Sequence, residues 1–345
     1  MRHFCPVFLR SNERRWLDMA ITPETACIGI DIGGTNLRFA LVDGRGAIIE
    51  RERYPTEIHL GKDNFLGRLF NGISDLRERG AAIDRDIRAV GMGIPGLIAG
   101  SGLVLSSVNL EPLVGLNVQE LVAQATGLPV VAINDANAAA YGEKRYGAGK
   151  SFNSFILLTL GTGVGSGLIL NGNLWTGADG VAAEYGHATV EPEGILCSCG
   201  NRGCLEQYAS ASALVRAAVH AMEQGEQWAL AGRPPASITA EMIAAAGHQG
   251  DSCALSLFET AGRYLGIAGA TIVNLLNVEA IILAGGVAAS FDLLAEPMRR
   301  EIRNRAFEVP ATRVRIVRGE LGDDAGILGA AALAWETQNF IPGEQ

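Results

Sequence analysis

Two segments of this chain indicate its fold: Asp31-Ile-Gly-Gly-Thr-Asn-Leu-Arg-Phe-Ala-Leu41 and Leu160-Gly-Thr-Gly-Val-Gly-Ser-Gly-Leu-Ile-Leu170. Each follows a short apolar run, forms a glycine turn that contains threonine, and returns as a second apolar run. Both segments stand at the head of a series of alternating strand and helix patterns. The repeat predicts an α/β protein built from two halves of similar topology.

The sequence on either side of these segments continues the alternation. Strands are predicted at Cys27–Asp31, Leu37–Asp43, Ile48–Tyr54, Val90–Ile94, Pro129–Ile133, Phe155–Leu160, Gly167–Leu170, Ala280–Leu283 and Arg313–Val317. Helical spacing is found at Phe65–Leu76, Val118–Thr126, Ala136–Tyr146, Ala211–Met222, Ala240–Ala246, Leu255–Leu276, Leu293–Arg305 and Ala325–Trp335. We expect a poorly ordered extension (1–24), a small α/β domain (25–145) closed by the last helix (about 325–336), and a large α/β domain (146–324).

The composition is that of an acidic globular protein. Of the 345 residues, 48% are hydrophobic and 19% are charged, which provides for a large core and argues against disorder. The net charge of −9 lacks the basic character of a nucleic-acid-binding protein. No apolar run approaches the ~20 residues of a membrane span, and the N-terminus lacks a signal-peptide pattern. We therefore expect a cytoplasmic protein that needs neither membrane nor nucleic acid.

Three glycine loops follow predicted strands and indicate phosphate binding. Glycine allows backbone N–H groups to approach phosphate oxygens closely, and a carboxylate at a strand end can hold hydrated Mg²⁺. None of the loops continues into Gly-Lys-Ser or Gly-Lys-Thr, as a Walker loop would. A dinucleotide-binding fingerprint would open a helix, whereas Gly161-Thr-Gly-Val-Gly-Ser-Gly opens onto the apolar strand Leu168–Leu170. The loops are Asp31-Ile-Gly33-Gly34-Thr35-Asn36, Gly161-Thr162-Gly163-Val164-Gly165 and Ala284-Gly285-Gly286-Val287.

Asn134 and Asp135 lie where a predicted strand meets a predicted helix. A carboxylate at this junction is held by rigid elements and can accept the proton of a hydroxyl during phosphoryl transfer. The amide of Asn134 can donate to and accept from a polyol. An aspartate before a helix is also a common N-cap, and local sequence alone favours that interpretation. The neighbouring motifs favour the catalytic one.

A histidine and three clustered cysteines predict a structural zinc site. The spacing is His187-x9-Cys197-x-Cys199-x4-Cys204, with glycines at positions that allow a tight turn. Three thiolates and one imidazole complete the tetrahedral shell of a structural Zn²⁺. Zinc here would fix the segment that carries Glu184, and Glu206 follows the cysteine cluster directly. The alternative is a set of free thiols with an unrelated histidine.

These motifs together resemble the ROK family of sugar kinases, which has the actin/hexokinase-like ATPase fold. The resemblance extends from Cys27 to Trp335. Its glycine loops are shared with many ATPases, whereas the Glu-x-Gly-His motif followed by the cysteine cluster is specific to the family. The matching motifs are Asp31-Ile-Gly-Gly-Thr-Asn36, Gly93-Ile-Pro-Gly96, Asn134-Asp-Ala-Asn137, Leu160-Gly-Thr-Gly-Val-Gly165, Glu184-Tyr-Gly-His187, Cys197-Ser-Cys-Gly-Asn-Arg-Gly-Cys-Leu-Glu206 and Ala284-Gly-Gly286.

The resemblance implies a role for each matching residue. Asp135 would be the general base of an ATP-dependent hexose kinase, with glucose the first choice of substrate. His187 would bind both zinc and sugar through its two ring nitrogens. The sugar would contact Gly96, Asn109, Asn134, Asp135, Glu184, His187 and Glu206. The ATP·Mg²⁺ complex would be held by Asp31, Gly33, Gly34, Thr35, Asn36, Gly161, Thr162, Gly163, Gly285 and Gly286.

The resemblance leaves several alternatives open. Kinases for N-acetylmannosamine, N-acetylglucosamine, allose and fructose share these motifs. The family also contains sugar-responsive repressors with a winged-helix domain, for which the segment before residue 25 is too short. A sugar-binding pseudokinase is disfavoured because both Asp31 and Asp135 are present. Relatives are commonly homodimers or homotetramers, and we expect the same here.

Overall fold

Successive halves of the chain form two five-stranded sheets, as the repeated segment predicts. The computed structural model describes residues 24–338, so the expected extension lies outside the described residues apart from Glu24. The first half contains β1 (Thr25–Ile32), β2 (Asn36–Asp43), β3 (Ile48–Pro55), α1 (Lys62–Ala82), β4 (Asp86–Ile94), β5 (Leu97–Ile98), β6 (Val104–Ser106), α2 (Val118–Thr126), β7 (Val130–Asn134) and α3 (Asp135–Tyr146).

The second half repeats this order with more helices inserted after its first three strands. It contains β8 (Phe155–Leu160), β9 (Val164–Leu170), β10 (Asn173–Trp175), α4 (Glu206–Ala209), α5 (Ala211–Glu223), α6 (Ala240–His248), α7 (Ser252–Leu276), β11 (Ala280–Ala284), α8 (Phe291–Arg305), α9 (Glu308–Arg313), β12 (Arg315–Arg318) and α10 (Ala325–Gln338).

The two sheets have the same topology. Their strand orders are β3-β2-β1-β4-β7 and β10-β9-β8-β11-β12. In each sheet the first three strands of the half are antiparallel, and the last two add in parallel to the first. This arrangement confirms the predicted two-lobed α/β fold with duplicated βββαβα cores.

The sequence pattern of each strand matches its place in the sheet. The central strand β1 is buried along its whole length except at Asp31, because helices or other elements cover both faces. Strand β3 lies at the edge of its sheet and alternates exposed and half-buried residues through Arg51, Glu52 and Arg53. Charged side chains at an edge discourage pairing with other chains.

Two helices, α3 and α10, form the layer between the sheets. Helix α3 packs on β8 and β9 of the second sheet, helix α10 packs on β1 and β4 of the first, and the two helices pack on each other. Their backbones approach closely because glycines face the contact. A Cβ on Gly142 would lie 2.2 Å from the carbonyl oxygen of Ala325, and one on Gly329 would lie 1.7 Å from that of Ala138. Any larger residue at either position would push the helices apart.

Several short elements were not predicted from the sequence. These are the hairpin of β5 and β6, the edge strand β10, and the short helices α4 and α9. Each is at most six residues long, too short to show a period. Within residues 24–338, none of the helices combines the length and the apolar character needed to cross a bilayer.

Candidate active site

The predicted site residues lie where strands of both sheets end. Asp31 and the first glycine turn follow β1, and Asn134 and Asp135 stand at the junction of β7 with α3. The second glycine turn joins β8 to β9, and the third glycine loop follows β11. The carboxyl ends of parallel strands share one edge of a sheet, where open α/β folds bind ligands.

The first glycine turn is held by hydrogen bonds to its backbone. Gly33 N–H donates to the carbonyl of Asn36 at 2.8 Å. Thr56, which is fully buried, donates its hydroxyl to the carbonyl of Gly33 at 2.6 Å and its N–H to that of Thr35 at 2.8 Å. Gly34 lies against Asn109, since a Cβ added to it would be 3.5 Å from the Asn109 Cβ. The exposed turn is therefore rigid, with Asn109 beside it.

Asp31 at the end of β1 forms an ion pair with Arg38 on β2. The two residues are cross-strand partners, and the Nε of Arg38 lies 3.0 Å from Oδ2 of Asp31. Burial raises the pKa of Asp31, and the charge of Arg38 opposes this effect. Two nitrogens of the Arg38 guanidinium, Nε and Nη2, donate to the same oxygen, Oδ2 of Asp31, and so partly neutralise the carboxylate.

The second glycine turn is braced by Glu206. Gly161 N–H donates to the carbonyl of Gly163 at 3.0 Å, and the N–H of Val164 donates to Oε2 of Glu206 at 3.0 Å. A Cβ on Gly163 would lie 2.3 Å from the same oxygen, so only glycine allows this approach. The side chain of Glu206 therefore connects the cysteine cluster to the turn, and its other oxygen lies 4.0 Å from Sγ of Cys197.

The third glycine loop packs directly against the second. Gly285 has φ +83°, a conformation that favours glycine. A Cβ at this position would lie 2.7 Å from the carbonyl oxygen of Leu160, the last residue of β8. Gly286 has open space around its Cα. The parallel pairing of β11 with β8 thus places two of the predicted phosphate loops side by side.

Asn134, not Asp135, caps helix α3. The side-chain oxygen of Asn134 accepts hydrogen bonds from the N–H groups of Ala136 at 2.9 Å and Asn137 at 3.0 Å. Its amide nitrogen donates to the carbonyl of Gly96 at 3.1 Å. The N-cap interpretation of Asp135 from local sequence is therefore corrected. Asn134 has fewer free polar groups for a ligand than the sequence suggests.

Asp135 is the first residue of α3, and one of its oxygens accepts from the N–H of Ala136 at 2.9 Å. Burial and the nearby negative charges of Asp31 and Glu184 together raise the pKa of Asp135 to about 6, and the backbone hydrogen bonds oppose this rise. Charges from two other segments of the chain therefore act on Asp135. A carboxyl group with a pKa close to neutral is suited to exchange protons with a ligand.

Glu184 connects this group to the histidine. Burial raises the pKa of Glu184, the charge of His187 lowers it, and Glu206 raises it again. Glu184 precedes a short turn of helix at Tyr185–His187, which places Glu184 and His187 close together. The structure therefore brings the predicted sugar-binding residues Glu184, His187 and Glu206 into one neighbourhood with Asp135.

The geometry of the cysteine cluster fits a tetrahedral zinc ion. His187 and the three cysteines offer ligand atoms that all lie within 4.8 Å of one another. Nδ1 of His187 is 3.7 Å from Sγ of Cys197, and the Sγ atoms of Cys199 and Cys204 are 3.6 Å apart. Tetrahedral Zn²⁺ separates thiolate and imidazole ligands by about 3.5–3.8 Å. The Nδ1 atom faces the sulfurs, which leaves Nε2 for another partner.

Two supporting residues were missed from the sequence. Thr56 follows an edge strand and carries no motif, and Arg38 looked like an ordinary strand residue. The alternation of β1 and β2 could have paired Arg38 with Asp31 once their register was known.

The tripeptide Gly149-Lys150-Ser151 carries the last residues of a Walker loop. It follows helix α3, however, where no phosphate loop is expected.

A separate cavity of about 780 Å³ lies between α5 and α7 and contains none of the predicted site residues. Its size alone does not make it the active site, because the ionisable groups and glycine turns described above lie elsewhere. Its walls include Gln207, Tyr208, Arg216, His220 and Cys253. The candidate site is therefore assigned from its chemistry.

Comparison with known proteins gives a consistent family. A model described as the ROK family matches residues 27–337. The glucokinase of Thermotoga maritima is 34% identical over 318 residues, which cover 91% of this chain and 98% of that enzyme.

Solved structures also match over most of the chain. A ROK family glucokinase from Streptomyces griseus in complex with glucose and AMPPNP has a TM-score of 0.76 at 36% identity, covering 90% of this chain and 99% of that one. A ROK family transcriptional regulator, a homologue of the E. coli MLC protein, has a TM-score of 0.84 at 29% identity, covering 91% of this chain and 78% of the regulator. The fold is common to both activities, so the site residues must distinguish them.

Proposed function

Because this chain belongs to the ROK family, we propose that it transfers the terminal phosphoryl group of ATP to a hydroxyl of glucose, forming glucose 6-phosphate. The observation that carries the proposal is the position of Asp135, which stands among Asp31, Glu184 and the glycine turns with a pKa of about 6. Such a carboxylate can take the proton of a sugar hydroxyl as the oxygen attacks phosphorus.

Asp135 is the proposed general base. One of its oxygens is oriented by the N–H of Ala136, and the other remains available for a hydroxyl. Deprotonation of the hydroxyl makes its oxygen a better nucleophile, and the proton resides on Asp135 when the phosphate ester has formed. Helix α3 fixes this carboxylate because Asn134 caps its first turn.

The proposed sugar site surrounds Asp135 with groups from both halves. Glu184, Glu206 and Nε2 of His187 offer hydrogen bonds to the hydroxyls of a pyranose from the second half. Asn134, Gly96 and Asn109 supply the first-half side, with Asn134 tied to the carbonyl of Gly96. Charged and amide groups that converge on one ligand give strong, directional recognition of hydroxyls.

The proposed nucleotide site is formed by the three glycine loops. Backbone N–H groups of Gly34 and Gly163 and the hydroxyls of Thr35 and Thr162 can surround phosphate oxygens, whereas the N–H groups of Gly33 and Gly161 hold the two turns in shape. Gly285 borders the same region through its contact with Leu160 of β8, and Gly286 follows it with open space around its Cα. Asn36 supports the first turn, because its carbonyl accepts from Gly33 and its side chain accepts from Arg53.

Asp31 is the proposed ligand of the magnesium ion that accompanies ATP. A single carboxylate together with phosphate oxygens and water is a common ligand set for Mg²⁺. The ion, when bound, neutralises charge on the phosphates and stabilises the transferring group. Asp31 meets this need because it is largely buried beside the first glycine turn and close to Asp135.

His187, Cys197, Cys199 and Cys204 are the proposed ligands of a structural zinc ion. Four protein ligands leave no open position for substrate, so the ion would stabilise the fold of this segment only. Its consequence for the sugar is indirect, because zinc bound to Nδ1 would orient Nε2 of His187 and fix Glu206 behind the second glycine turn.

We also propose how these parts are organised. Residues 25–145 with the last helix (325–336) form the smaller lobe, and 146–324 form the larger. Closure of the lobes around the sugar would exclude water and limit hydrolysis of ATP. The proposed assembly is a homodimer or homotetramer that acts without nucleic acid.

A screen of ADP release tests the function. Glucose should give the highest kcat/KM among hexoses, and N-acetylmannosamine, N-acetylglucosamine, allose and fructose should give lower values. A higher kcat/KM for an N-acetylhexosamine than for glucose would support the kinase activity but assign it a different substrate. Sugar binding without ADP release from any of these sugars, accompanied by salt-sensitive DNA binding, would instead support a regulator.

A further inference from the structure

A buried glutamate near the end of α3 joins two distant parts of the chain. Glu143 is completely inaccessible to solvent. Its Oε2 accepts a hydrogen bond from the N–H of Ala148 at 2.7 Å, and its Oε1 accepts one from the N–H of Leu321 at 2.9 Å. Burial of a carboxyl group is costly unless its oxygens find donors, and here backbone N–H groups supply them.

These two N–H groups belong to the segments by which the chain crosses between the sheets. The first crossing segment, residues 147–154, leads from α3 to β8, and the second, residues 319–324, leads from β12 back to α10. The first therefore enters the second sheet, and the second returns to the helix that packs on β1 and β4 of the first sheet. One side chain therefore holds both connections.

Glycines in both crossing segments allow the close approach of this carboxylate. A Cβ on Gly147 would lie 2.0 Å from Oε2 of Glu143, and a Cβ on Gly319 would lie 2.8 Å from Oε1. Neither residue has a positive φ, so the turn itself does not require glycine. The absence of side chains here is explained by the space that Glu143 occupies.

We propose that Glu143 is a positioning residue that fixes the hinge between the two sheets during phosphoryl transfer. This inference rests on the proposed function, because the hinge affects the reaction only when sugar and ATP must be brought together. Motion of one sheet relative to the other must bend both crossing segments, and Glu143 ties the bend in each to the same point on α3.

Helix α3 also carries Asp135 at its other end, so the hinge and the proposed base share one rigid element. The second sheet carries the turn at Gly161–Gly163, and α3 packs on that sheet through β9. A shift of the crossing segments would change the position of Asp135 relative to this turn. Displacements of about 1 Å at a reacting centre can reduce rates roughly 100-fold.

The substitution Glu143→Gln tests the proposal with minimal change of shape. The amide oxygen can still accept from one backbone N–H, but its NH₂ group faces the other N–H, which is left without an acceptor. Glu301→Gln is the matched control, because Glu301 is also buried but bonds to Arg305 within α8, far from both crossings.

Three measurements distinguish the outcomes. Hydrogen exchange of unliganded protein should accelerate ~10-fold in at least one crossing segment of Glu143→Gln and in neither segment of the control. Small-angle scattering should show less compaction on addition of glucose. The kcat should fall ~10-fold, with less change in the affinity for glucose. Glu301→Gln should retain the compaction and the kcat of the parent, even if its unfolding temperature falls by as much as that of Glu143→Gln.

Other results overturn the proposal. Unchanged exchange in both segments would show that Glu143 does not hold them. Faster exchange with parent compaction and kcat would reduce Glu143 to a stabilising residue. If Glu143→Gln fails to fold, Gly319→Ala provides the same readouts. Its methyl group would lie 2.8 Å from Oε1 of Glu143 and would displace this oxygen, while Glu143 keeps its carboxylate. A parent protein without kinase activity would refute the proposed function alone, since exchange and compaction still report on the hinge.

Discussion

The two glycine turns hold the same place in two sheets of the same strand order, yet they differ in the residue that precedes them. Asp31 lies two residues before Gly33 at the end of β1, and Thr159 lies two residues before Gly161 at the end of β8. Both turns present backbone N–H groups, and both have a carboxylate nearby. Asp31 stands on the strand before the first turn, whereas Glu206 reaches the second turn from α4 and already accepts from the N–H of Val164. The duplicated topology therefore supplies two proposed phosphate-binding turns, of which only the first follows a strand that ends with an aspartate as a candidate cation ligand.

The last helix of each half shows a similar asymmetry. Helix α3 begins at Asp135 after the cap residue Asn134, whereas α10 begins at Ala325. The preceding Asp324 forms an ion pair with Arg51, which lowers the pKa of Asp324, and the charge of Arg38 lowers that pKa further. Both helices pack in the layer between the sheets, but α3 begins with a carboxylate and α10 does not.

The largest expected effect comes from Asp135→Asn. The amide keeps the shape and the hydrogen bond from Ala136 but cannot take a proton. General-base catalysis typically contributes 10²–10⁴-fold, so we expect kcat to fall by about 10³-fold with glucose affinity within a few-fold of the parent. Steady-state kinetics and calorimetric titration with glucose measure the two quantities.

Asp292→Asn is the matched control for this change. Asp292 also lies in the first turn of a helix, but it is exposed and pairs with His248 on the surface. Its substitution should leave kcat unchanged. A near-parent kcat for Asp135→Asn would remove the functional difference between α3 and α10 and with it the assignment of the base.

A smaller effect is expected from the residues before the two turns. Asp31→Asn should weaken binding of AMPPNP in the presence of Mg²⁺ by about 10–100-fold and should have little effect without the ion, because it removes the charge that attracts it. Thr159→Val removes a hydroxyl at the equivalent position of the second half and is the comparison variant. Calorimetric titrations with AMPPNP, with and without Mg²⁺, measure both affinities. An equal loss of AMPPNP affinity in the two variants would contradict the proposed difference between the two turns.

Much of this architecture followed from the sequence alone. Apolar runs such as Phe155–Leu160, and the helix Val118–Thr126 that stops at Gly127, were predicted with the bounds that the structure shows. The cysteine cluster was also predicted, because ligand spacing is a local property of the chain. Patterns of this kind depend on neighbours in sequence.

The unpredicted features depend on contacts between distant residues. Arg38 faces Asp31 through strand register, and Glu143 binds Leu321, which lies 178 residues further along the chain. The sequence also suggested Asp135 as a cap, because residue type alone does not show whether Asn134 or Asp135 accepts the helix N–H groups. These interactions require three-dimensional packing to be identified.

The proposed zinc site tests a feature that, among the residues the structure describes, belongs to the second half alone. Cys199→Ser should lose the ion and weaken glucose binding about 10-fold, because His187 and Glu206 would lose their fixed positions. Cys253→Ser is the control, since Cys253 is a buried free cysteine outside the cluster. Zinc content and glucose affinity should fall together in the first variant and in neither for the second. Parent affinity in metal-free protein would separate the cluster from the sugar site.

The smallest effect is the pH dependence that the environment of Asp135 imposes. Burial, with added repulsion from Asp31 and Glu184, raises the pKa of Asp135 in the unliganded protein to about 6, so kcat/KM for glucose should fall about tenfold per pH unit below that value. The ordinary pKa of an aspartate is about 3.9 in the unfolded chain. The folded state therefore binds the proton more tightly, and this contribution to stability is present below pH ~4 and lost as pH rises through about 6.

Asp135→Asn removes that pH-dependent term. The variant should unfold a few degrees above the parent at pH 8 and near the parent temperature at pH 4, because the charge that burial disfavours is absent. Thermal unfolding across this range measures the difference. Equal unfolding temperatures at pH 8 would mean that α3 holds its carboxylate at no cost. Asp135 would then be no more perturbed than an ordinary helix-terminal aspartate, and the two halves would differ in sequence without differing in electrostatics.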